Sequence, residues 1–255
     1  MEFVLLTYNI WFSDTLINER VDCLIKLLNN LSVDILCLQE VRPDVLAILV
    51  NKLTDKYKYW ETTLDENASY GEAIFSKYKI LDKQIFQYKK TNMNRHFIIT
   101  SIELNDNYKI NISTTHLESE FIKKKNTDTD DKIEQEIKKS IKYNQYMSIM
   151  NYLKDFDNII LCGDFNINKL DEKYFLLMHK WKDAWIENGK NKLIENTYDC
   201  YNNAYINKKT RYISRLDRVY YNSDNLQLID MNLVGNNKKE IIPSDHFGIL
   251  CRFLW

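Results

Sequence analysis

The chain has 255 residues, of which 45% are hydrophobic and 28% are charged, with five glycines and two prolines. This composition excludes disordered, collagen-like and low-complexity proteins, because such chains lack the apolar residues of a packed core. The formal net charge is −1, which argues weakly against a DNA or RNA partner, since many nucleic-acid-binding proteins carry a basic excess.

Short apolar or β-branched runs of strand length alternate with segments of helical spacing along the chain. In chain order they predict a strand at 3–7, a helix at 21–31, a strand at 34–38, a helix at 44–53, strands at 72–75, 97–102 and 109–115, a helix at 133–153, and strands at 158–162, 217–221, 226–233 and 248–253. This order is typical of α/β or α+β layers. No repeat or Pro/Gly/Ser-rich linker divides the chain, so we expect residues 1–255 to form a single domain.

The five cysteines form no C-x-x-C pair, and most lie in apolar runs such as 35–38 and 160–162. They are therefore typical of buried thiols in a reducing compartment rather than of disulfides or zinc ligands. The first apolar run is too short for a signal peptide, and no stretch approaches the roughly 18 apolar residues of a membrane span. We therefore expect a soluble intracellular protein, in the nucleus or the cytoplasm, with no membrane partner.

Acids, amides and histidines collect at the ends of the predicted strands. They are Asn9, Glu40, His116, Asp164 and Asn166 after strands, and Asp245 and His246 before the last strand. Because strand ends hold polar groups rigidly at a shared edge, we expect these side chains to lie in one cleft. Taken singly, each also has an ordinary structural interpretation as a turn residue, a strand emerging into water or a buried histidine.

Together these residue types supply what hydrolysis of a phosphate ester requires. A carboxylate such as Glu40 can hold Mg²⁺, which prefers hard oxygen ligands. Asp164 can orient and deprotonate a water, Asn166 can donate to a phosphoryl oxygen, and His246 can stabilise charge in the transition state. The P-loop, Ser-His-Asp and Cys-His patterns are absent from the sequence.

The ordered set of motifs resembles that of the endonuclease/exonuclease/phosphatase superfamily, which has the deoxyribonuclease I-like fold. The matching stretches span nearly the whole chain and are Thr7-Tyr8-Asn9, Leu38-Gln39-Glu40-Val41, Gly71-Glu72-Ala73-Ile74-Phe75-Ser76, Thr115-His116-Leu117, Gly163-Asp164-Phe165-Asn166, Leu216-Asp217-Arg218-Val219 and Ser244-Asp245-His246. The resemblance implies a four-layered α/β sandwich, in which two central, mainly antiparallel β-sheets are flanked by helices and the site lies at one end of the sheets.

The same resemblance implies a role for each motif residue. Glu40 would be the main Mg²⁺ ligand, with Mn²⁺ able to substitute, and Asn9 and Asp245 would support the metal or its waters. Asp164 would position the nucleophilic water, Asn166 and His116 would bind phosphate, and Asp217 would orient His246. The last pair has a physical reason, because a carboxylate fixes the imidazole tautomer and favours its charged form.

Within the superfamily, the strings His116-Leu117-Glu118-Ser119 and Ser244-Asp245-His246-Phe247-Gly248-Ile249-Leu250-Cys251 are most similar to the tyrosyl-DNA phosphodiesterase branch. This similarity implies hydrolysis of the bond between a topoisomerase tyrosine and a 5′ DNA phosphate, by a monomer acting on single-stranded 5′ ends. Ser119 and Arg95 would then bind substrate. Trp11 and Tyr198 are candidate aromatic walls for the bases.

Alternatives remain open at this point. An abasic-site or general DNA nuclease of the same superfamily is the second interpretation, and a non-catalytic binding scaffold is the third. The sequence also departs from the family where Ile167 and Asn168 replace an expected basic residue, with Lys169 one position later. The segment 120–143 is longer than the family's connection there, and its lysine run at 123–125 predicts a solvated loop.

Overall fold

The computed structural model describes residues 1–120, 129–177, 180–236 and 241–255. The lysine run at 123–125 therefore lies outside the described residues. Within the described part of the chain, no helix is both long enough and apolar enough to cross a membrane.

More of the described backbone lies in β-strands than in helices. The strands are β1 (Glu2–Asn9), β2 (Ile35–Val41), β3 (Tyr59–Thr62), β4 (Gly71–Ser76), β5 (Lys79–Gln87), β6 (His96–Asn105), β7 (Tyr108–His116), β8 (Ile159–Asp164), β9 (Lys182–Asp183), β10 (Tyr198–Asp199), β11 (Ile213–Ser214), β12 (Asp217–Asn222), β13 (Gln227–Val234) and β14 (Gly248–Leu254). The helices are α1 (Ile17–Asn30), α2 (Pro43–Leu53), α3 (Asp130–Lys139), α4 (Ile141–Leu153) and α5 (Ala184–Glu187).

Two six-stranded sheets form the centre of the molecule. Sheet 1 has the order β13-β14-β1-β2-β4-β3, and sheet 2 has the order β5-β6-β7-β8-β12-β9. Each sheet has one parallel pair, β1 with β2 and β7 with β8, and its other neighbours are antiparallel. The last strand, β14, pairs with the first, β1, and lies between β1 and β13.

Strand periodicity divides the core into three apolar layers. In β1, Phe3 and Leu5 point between the two sheets, whereas Leu6 points to the opposite face, as expected for alternating side chains. α1 and α2 cover the outer face of sheet 1, and α4 covers the outer face of sheet 2. The order helix, sheet, sheet, helix confirms the predicted four-layered sandwich with two mainly antiparallel sheets.

The predicted helix at 133–153 is two helices in the structure. α3 and α4 meet at Ser140, whose backbone is extended (φ −64°, ψ 152°). The Ser140 hydroxyl accepts a hydrogen bond from the Tyr143 N–H, which caps the start of α4. A serine that caps a helix in this way interrupts an apolar pattern that would otherwise continue.

Candidate active site

The carboxyl ends of four strands meet at one end of the two sheets. Asn9 ends β1 and Glu40 lies one residue before the end of β2, while His116 and Asp164 end β7 and β8. The Asn9 side-chain amide donates to Glu40 Oε1 at 3.1 Å and to Asp164 Oδ2 at 3.0 Å. One amide therefore joins the polar ends of both sheets.

Two further strands bring side chains to the same edge at their starts. Asp217 is the first residue of β12 and pairs with Asp164 in the antiparallel ladder. Asp245 and His246 lie just before β14, whose neighbour β1 ends at Asn9. All the strand-end residues that the sequence predicted for one cleft are thus at one edge of the sandwich.

Glu40 is held in a strained backbone position. Its φ of 59° lies in the left-handed region, which costs free energy for a residue with a Cβ and persists only where the surroundings enforce it. The Phe12 N–H donates to Glu40 Oε2 at 2.9 Å. Burial and the charge of Asp245 raise the pKa of Glu40, whereas the hydrogen bonds from Phe12 and Asn9 lower it. The net result is a pKa above the ordinary value.

Asp164 is buried and receives hydrogen bonds on both carboxylate oxygens. The Asn166 N–H donates to Oδ1 at 2.8 Å, and the Asn9 amide donates to Oδ2. Burial alone would raise the pKa of Asp164, but the two neighbouring imidazoles and these hydrogen bonds bring it below its ordinary value. Asp164 is therefore a carboxylate at neutral pH, as a proton acceptor must be.

His116 is held as a neutral imidazole. Burial and then the charge of Arg95 lower its pKa well below the ordinary value. Arg95 Nη1 lies 2.7 Å from His116 Nδ1, which accepts a hydrogen bond because a guanidinium only donates. Nε2 lies 3.4 Å from Asp164 Oδ2 and 3.0 Å from the Asn166 amide nitrogen, which itself donates to Leu117 O at 2.9 Å.

His246 is held in the opposite protonation state. Its Nδ1 lies 2.7 Å from Asp217 Oδ2, and its Nε2 lies 3.8 Å from Asp164 Oδ2. Burial acts to lower the pKa of His246, but Asp217, Asp164 and Asp245 outweigh it and raise that pKa well above the ordinary value. The Thr197 hydroxyl oxygen accepts the Asp217 backbone N–H at 3.0 Å. His246 is therefore an imidazolium at neutral pH.

Two sets of ligand atoms compete for a metal ion. Ligand atoms of Asp164, Asp217 and His246 lie within 4.8 Å of one another, but a protonated imidazole that is bonded to Asp217 cannot coordinate a cation. Glu40 and Asp245 are the better set, because burial first, and then neighbouring carboxylates, raise the pKa of each. A hard divalent cation relieves that repulsion, so the donor chemistry fits such an ion.

The site opens into a cavity of about 640 Å³. Of the predicted substrate-binding residues, Arg95, His116, Ser119 and Tyr198 line it, together with the unpredicted Leu216. The Tyr198 ring meets the His246 ring edge-on, with centroids 5.1 Å apart. One wall of the cavity is therefore aromatic and apolar, beside the polar strand ends.

Trp11 does not line this cavity, and Phe12 takes its place. The Trp11 indole lies between the Arg20 guanidinium, 4.6 Å from the ring centroid, and the Tyr205 ring at 5.2 Å. The Trp11 backbone has φ 59°, and the turn there brings Phe12 to the cavity, where its ring stacks on Tyr70 with centroids 4.7 Å apart. Its position just after the Asn9 motif favoured Trp11 in the sequence, whereas the direction of the turn decides the contact.

Phe12, Leu216 and Arg20 are not among the site residues that the sequence predicted. Phe12 and Leu216 carry no polar signal and are recognised only from the cavity. Arg20 did carry a signal, because it precedes Leu24 and Leu28 by one and two helical turns and so falls on the buried stripe of α1. A charged residue on a buried stripe needs polar partners, which are found here around the site.

The fold and the polar strand ends are those of a known class, and the chain belongs to the endonuclease/exonuclease/phosphatase family, which it matches over residues 6–246. It is similar to tyrosyl-DNA phosphodiesterase 2 of Gallus gallus (27% identical) and of Xenopus laevis (28% identical), in each case over 98% of this chain. The chain spans 66% of the length of these two relatives.

Solved structures share the fold. A crystal structure of D. rerio TDP2 complexed with single strand DNA product has a TM-score of 0.83 at 23% identity and covers 100% of this chain and 99% of that one. A crystal structure of TDP2 from C. elegans has a TM-score of 0.83 at 22% identity and covers 100% of this chain and 76% of that one. These likenesses agree with the α/β sandwich described above.

Proposed function

We propose that this chain is a Mg²⁺-dependent phosphodiesterase that hydrolyses the 5′-phosphotyrosyl bond between DNA and a trapped topoisomerase, leaving a 5′ phosphate. Residues 1–255 act as one catalytic domain, as a monomer in the nucleus or cytoplasm. The relatives named tyrosyl-DNA phosphodiesterase 2 support the substrate class. Five free cysteines, four of them buried, fit an intracellular location.

The arrangement around Asp164 carries the proposal. One carboxylate kept ionised lies between a neutral imidazole, His116, and a charged one, His246. Beside it, Glu40 and Asp245 offer oxygen ligands whose pKa values are raised by burial and by neighbouring carboxylates. Pairs of titratable groups held in different states assign acid and base roles, and this set matches in-line hydrolysis of a phosphodiester.

Glu40 and Asp245 would hold Mg²⁺, or Mn²⁺ in its place, and Asn9 fixes the orientation of Glu40. When bound, the ion would neutralise the charge of the phosphoryl group and orient it. Two carboxylates suit Mg²⁺, which is usually bound through one or two carboxylates and keeps several waters.

Asp164 accepts a proton from the attacking water as the water oxygen bonds to phosphorus. The bond from phosphorus to the tyrosyl oxygen breaks, and its electron pair leaves with the phenolate, whose pKa near 10 makes it a good leaving group. His116 and the Asn166 amide bind the phosphoryl oxygens, and the His246 imidazolium stabilises the developing negative charge.

The cavity wall holds the substrate on either side of the scissile bond. Arg95 and Ser119 contact its polar groups. Tyr198 offers an aromatic surface, and so does Phe12, which lines the cavity where Trp11 was predicted to lie. Stacking of a base on such a ring is worth about 1 to 3 kcal/mol.

A substrate panel tests the assignment. With Mg²⁺, the purified protein should release tyrosine from a 5′-tyrosyl single-stranded oligonucleotide and leave a 5′ phosphate. Asp164→Asn should lower kcat at least 100-fold, since it removes the proton acceptor, while the thermal unfolding midpoint stays within a few degrees. The matched control is Asp55→Asn, which changes an exposed aspartate and should leave kcat unchanged.

Two outcomes would contradict the proposal. Cleavage confined to abasic duplex would assign the chain to an abasic endonuclease instead. No cleavage of any phosphodiester, with folded protein and added Mg²⁺ or Mn²⁺, would favour a binding scaffold.

A further inference from the structure

Arg20, on the first turn of α1, is a buried cation without a carboxylate hydrogen-bond partner among the described residues. It is 1% exposed. Its Nε donates to Thr15 O at 2.8 Å, Nη1 donates to Ile10 O and Pro243 O at 2.9 and 3.2 Å, and Nη2 donates to Trp11 O and Ser13 O at 3.0 and 2.5 Å. All five donors of the guanidinium are thus used on five backbone carbonyls.

Four of these carbonyls belong to the segment 10–15, which follows β1. The same segment turns its N–H groups to the candidate metal site, because Trp11 N donates to Asn9 Oδ1 at 3.0 Å and Phe12 N donates to Glu40 Oε2 at 2.9 Å. The carbonyl side of the segment is therefore held by Arg20, and its N–H side holds Asn9 and Glu40.

The fifth carbonyl belongs to Pro243, two residues before Asp245 in the segment that leads into β14. This second segment is fixed further by Tyr205 Oη, which donates to Ile242 O at 3.1 Å, and by the Asn203 amide, which donates to Ser244 O at 2.9 Å. Among the described residues, the Arg20 side chain bonds directly to both segments. The first segment orients Glu40, and the second carries Asp245.

The charge of Arg20 acts in the same place. Burial lowers the pKa of Arg20, while Tyr205, Asp245 and Glu40 raise it. Taking an unpaired cation out of water is costly in free energy, and the charges of Asp245 and Glu40 offset part of that cost. These are the two carboxylates that repel each other at the candidate metal site. The guanidinium therefore stabilises the two carboxylates together as well as fixing the backbone around them.

We propose that Arg20 is a positioning residue for the metal site, which sets the placement of Glu40 and Asp245 before the cation binds. The proposal rests on the metal assignment of the proposed function. Outer-shell partners that orient metal ligands typically contribute 10- to 100-fold to metal affinity. Lysine cannot replace this residue, because three donors on a flexible stem cannot serve five carbonyls on two segments.

A titration of the protein with Mn²⁺ in the absence of substrate tests the proposal. Binding is measured as the loss of the EPR signal of the free ion. Arg20→Met removes the donors and the charge, and should raise the Mn²⁺ dissociation constant at least tenfold. Arg20→Lys keeps the charge and should raise the constant by a smaller factor. The matched control is Arg252→Met, which removes an arginine of β14 that pairs with Asp230 away from the site and should leave the constant unchanged.

Turnover separates positioning from loss of structure. The Mg²⁺ concentration for half-maximal activity should rise in Arg20→Lys, and kcat at saturating Mg²⁺ should recover to near the wild-type value, whereas a merely less stable protein would lose kcat at every Mg²⁺ concentration. Circular dichroism and thermal unfolding check that each variant is folded at the temperature of measurement.

The possible results distinguish failure of this proposal from failure of the proposed function. Folded Arg20→Met with an unchanged Mn²⁺ constant overturns the proposal and leaves the proposed function standing. If neither Arg20 variant folds, Arg20 is a residue of the fold alone and the proposal is also overturned. If the wild-type protein binds no Mn²⁺, the metal assignment in the proposed function fails, and the inference fails with it.

Discussion

His116 and His246 both lie within 4 Å of the Asp164 carboxylate, yet their surroundings hold them in opposite protonation states. Arg95 and burial keep His116 neutral, and Asp217 keeps His246 charged. The family resemblance already assigned Asp217 to His246, but nothing in the sequence paired Arg95 with His116. The deciding neighbours are 21 and 29 residues away along the chain. Pairing of β6 with β7 brings Arg95 to His116, whereas packing of the two sheets brings Asp217 on β12 to His246 before β14.

Glu72 is a second residue whose state is set by burial. It is 3% exposed on β4, and its Oε2 accepts a hydrogen bond from the Thr63 hydroxyl at 2.7 Å. Burial outweighs this hydrogen bond and raises the pKa of Glu72 from 4.5 to about 7. The folded chain therefore binds a proton between pH 4.5 and 7 that the unfolded chain has lost, and stability falls as pH rises through this window.

Glu72→Gln should remove that dependence, because glutamine keeps the acceptor for Thr63 and has no charge to bury. Relative to the wild type, the free energy of unfolding of the variant should increase by about 2.5 kcal/mol between pH 5 and pH 8, from the shift of the pKa from 4.5 to about 7. Urea denaturation at both pH values measures this difference. Glu66→Gln, at an exposed site, is the matched control and should show no such change. A pH-independent difference for Glu72→Gln would contradict the raised pKa.

At the scale of elements, the last two residues of β8 show how a strand end is shaped for the site. Gly163 precedes Asp164 and has φ +132°, a conformation that residues with a Cβ rarely adopt. A Cβ there would lie 2.0 Å from Thr115 O on the neighbouring parallel strand β7. The absence of a side chain thus lets β7 and β8 approach where His116 and Asp164 meet.

Gly163→Ala should destabilise the protein by about 3 kcal/mol or more, since it combines a strained φ with a clash against backbone. The loss should appear in urea denaturation, together with a fall in activity because Asp164 moves. Gly189→Ala is the matched control: Gly189 also has positive φ (+78°), but a Cβ there meets nothing within 4 Å, so we expect a loss of about 1 kcal/mol. Equal losses at the two positions would show that the clash is absent.

Burial helps to explain which elements could be predicted from the sequence pattern. The nine predicted strands all correspond to strands of the two sheets, because most have continuous or alternating apolar residues. β5 (Lys79–Gln87) was missed, since it is an edge strand with mostly exposed side chains and its apolar signal is diluted. The break at Ser140 was missed because local capping overrides a continuing apolar pattern.

At the scale of the whole molecule, the net charge of −1 includes both an acidic edge of the sandwich and a segment with basic side chains. Glu40, Asp164, Asp217 and Asp245 lie together at one edge of the sandwich, where the proposed cation would compensate them. The exposed segment with Lys208, Lys209 and Arg211 also contributes Thr210 and Tyr212 to the cavity wall. A near-neutral protein can therefore still present basic side chains beside the path of a DNA strand.

Affinity for a single-stranded oligonucleotide should accordingly fall with salt, with a small slope that reflects few phosphate contacts. Each phosphate contact contributes about −0.7 to the slope of log K against log salt. The double variant Lys208→Gln/Lys209→Gln should therefore flatten the slope by about 1.4 if both lysines contact phosphate. Fluorescence anisotropy across a salt series, in Ca²⁺ to prevent turnover, measures the slope.

The matched control for this pair is Lys58→Gln/Lys154→Gln, which changes two exposed lysines outside the cavity wall. That double variant should keep the wild-type slope. An unchanged slope in Lys208→Gln/Lys209→Gln would place the DNA strand on another side of the cavity.

The pairing of β14 with β1 has a consequence for biosynthesis. β1 is translated before the other strands of both sheets, but one of its two neighbours in sheet 1 is β14, which is translated after all of them. Asp245 and His246 are translated immediately before that strand. Until β14 has been translated, β1 lacks one of its two partners, and the edge of the sandwich that carries the candidate site cannot be complete.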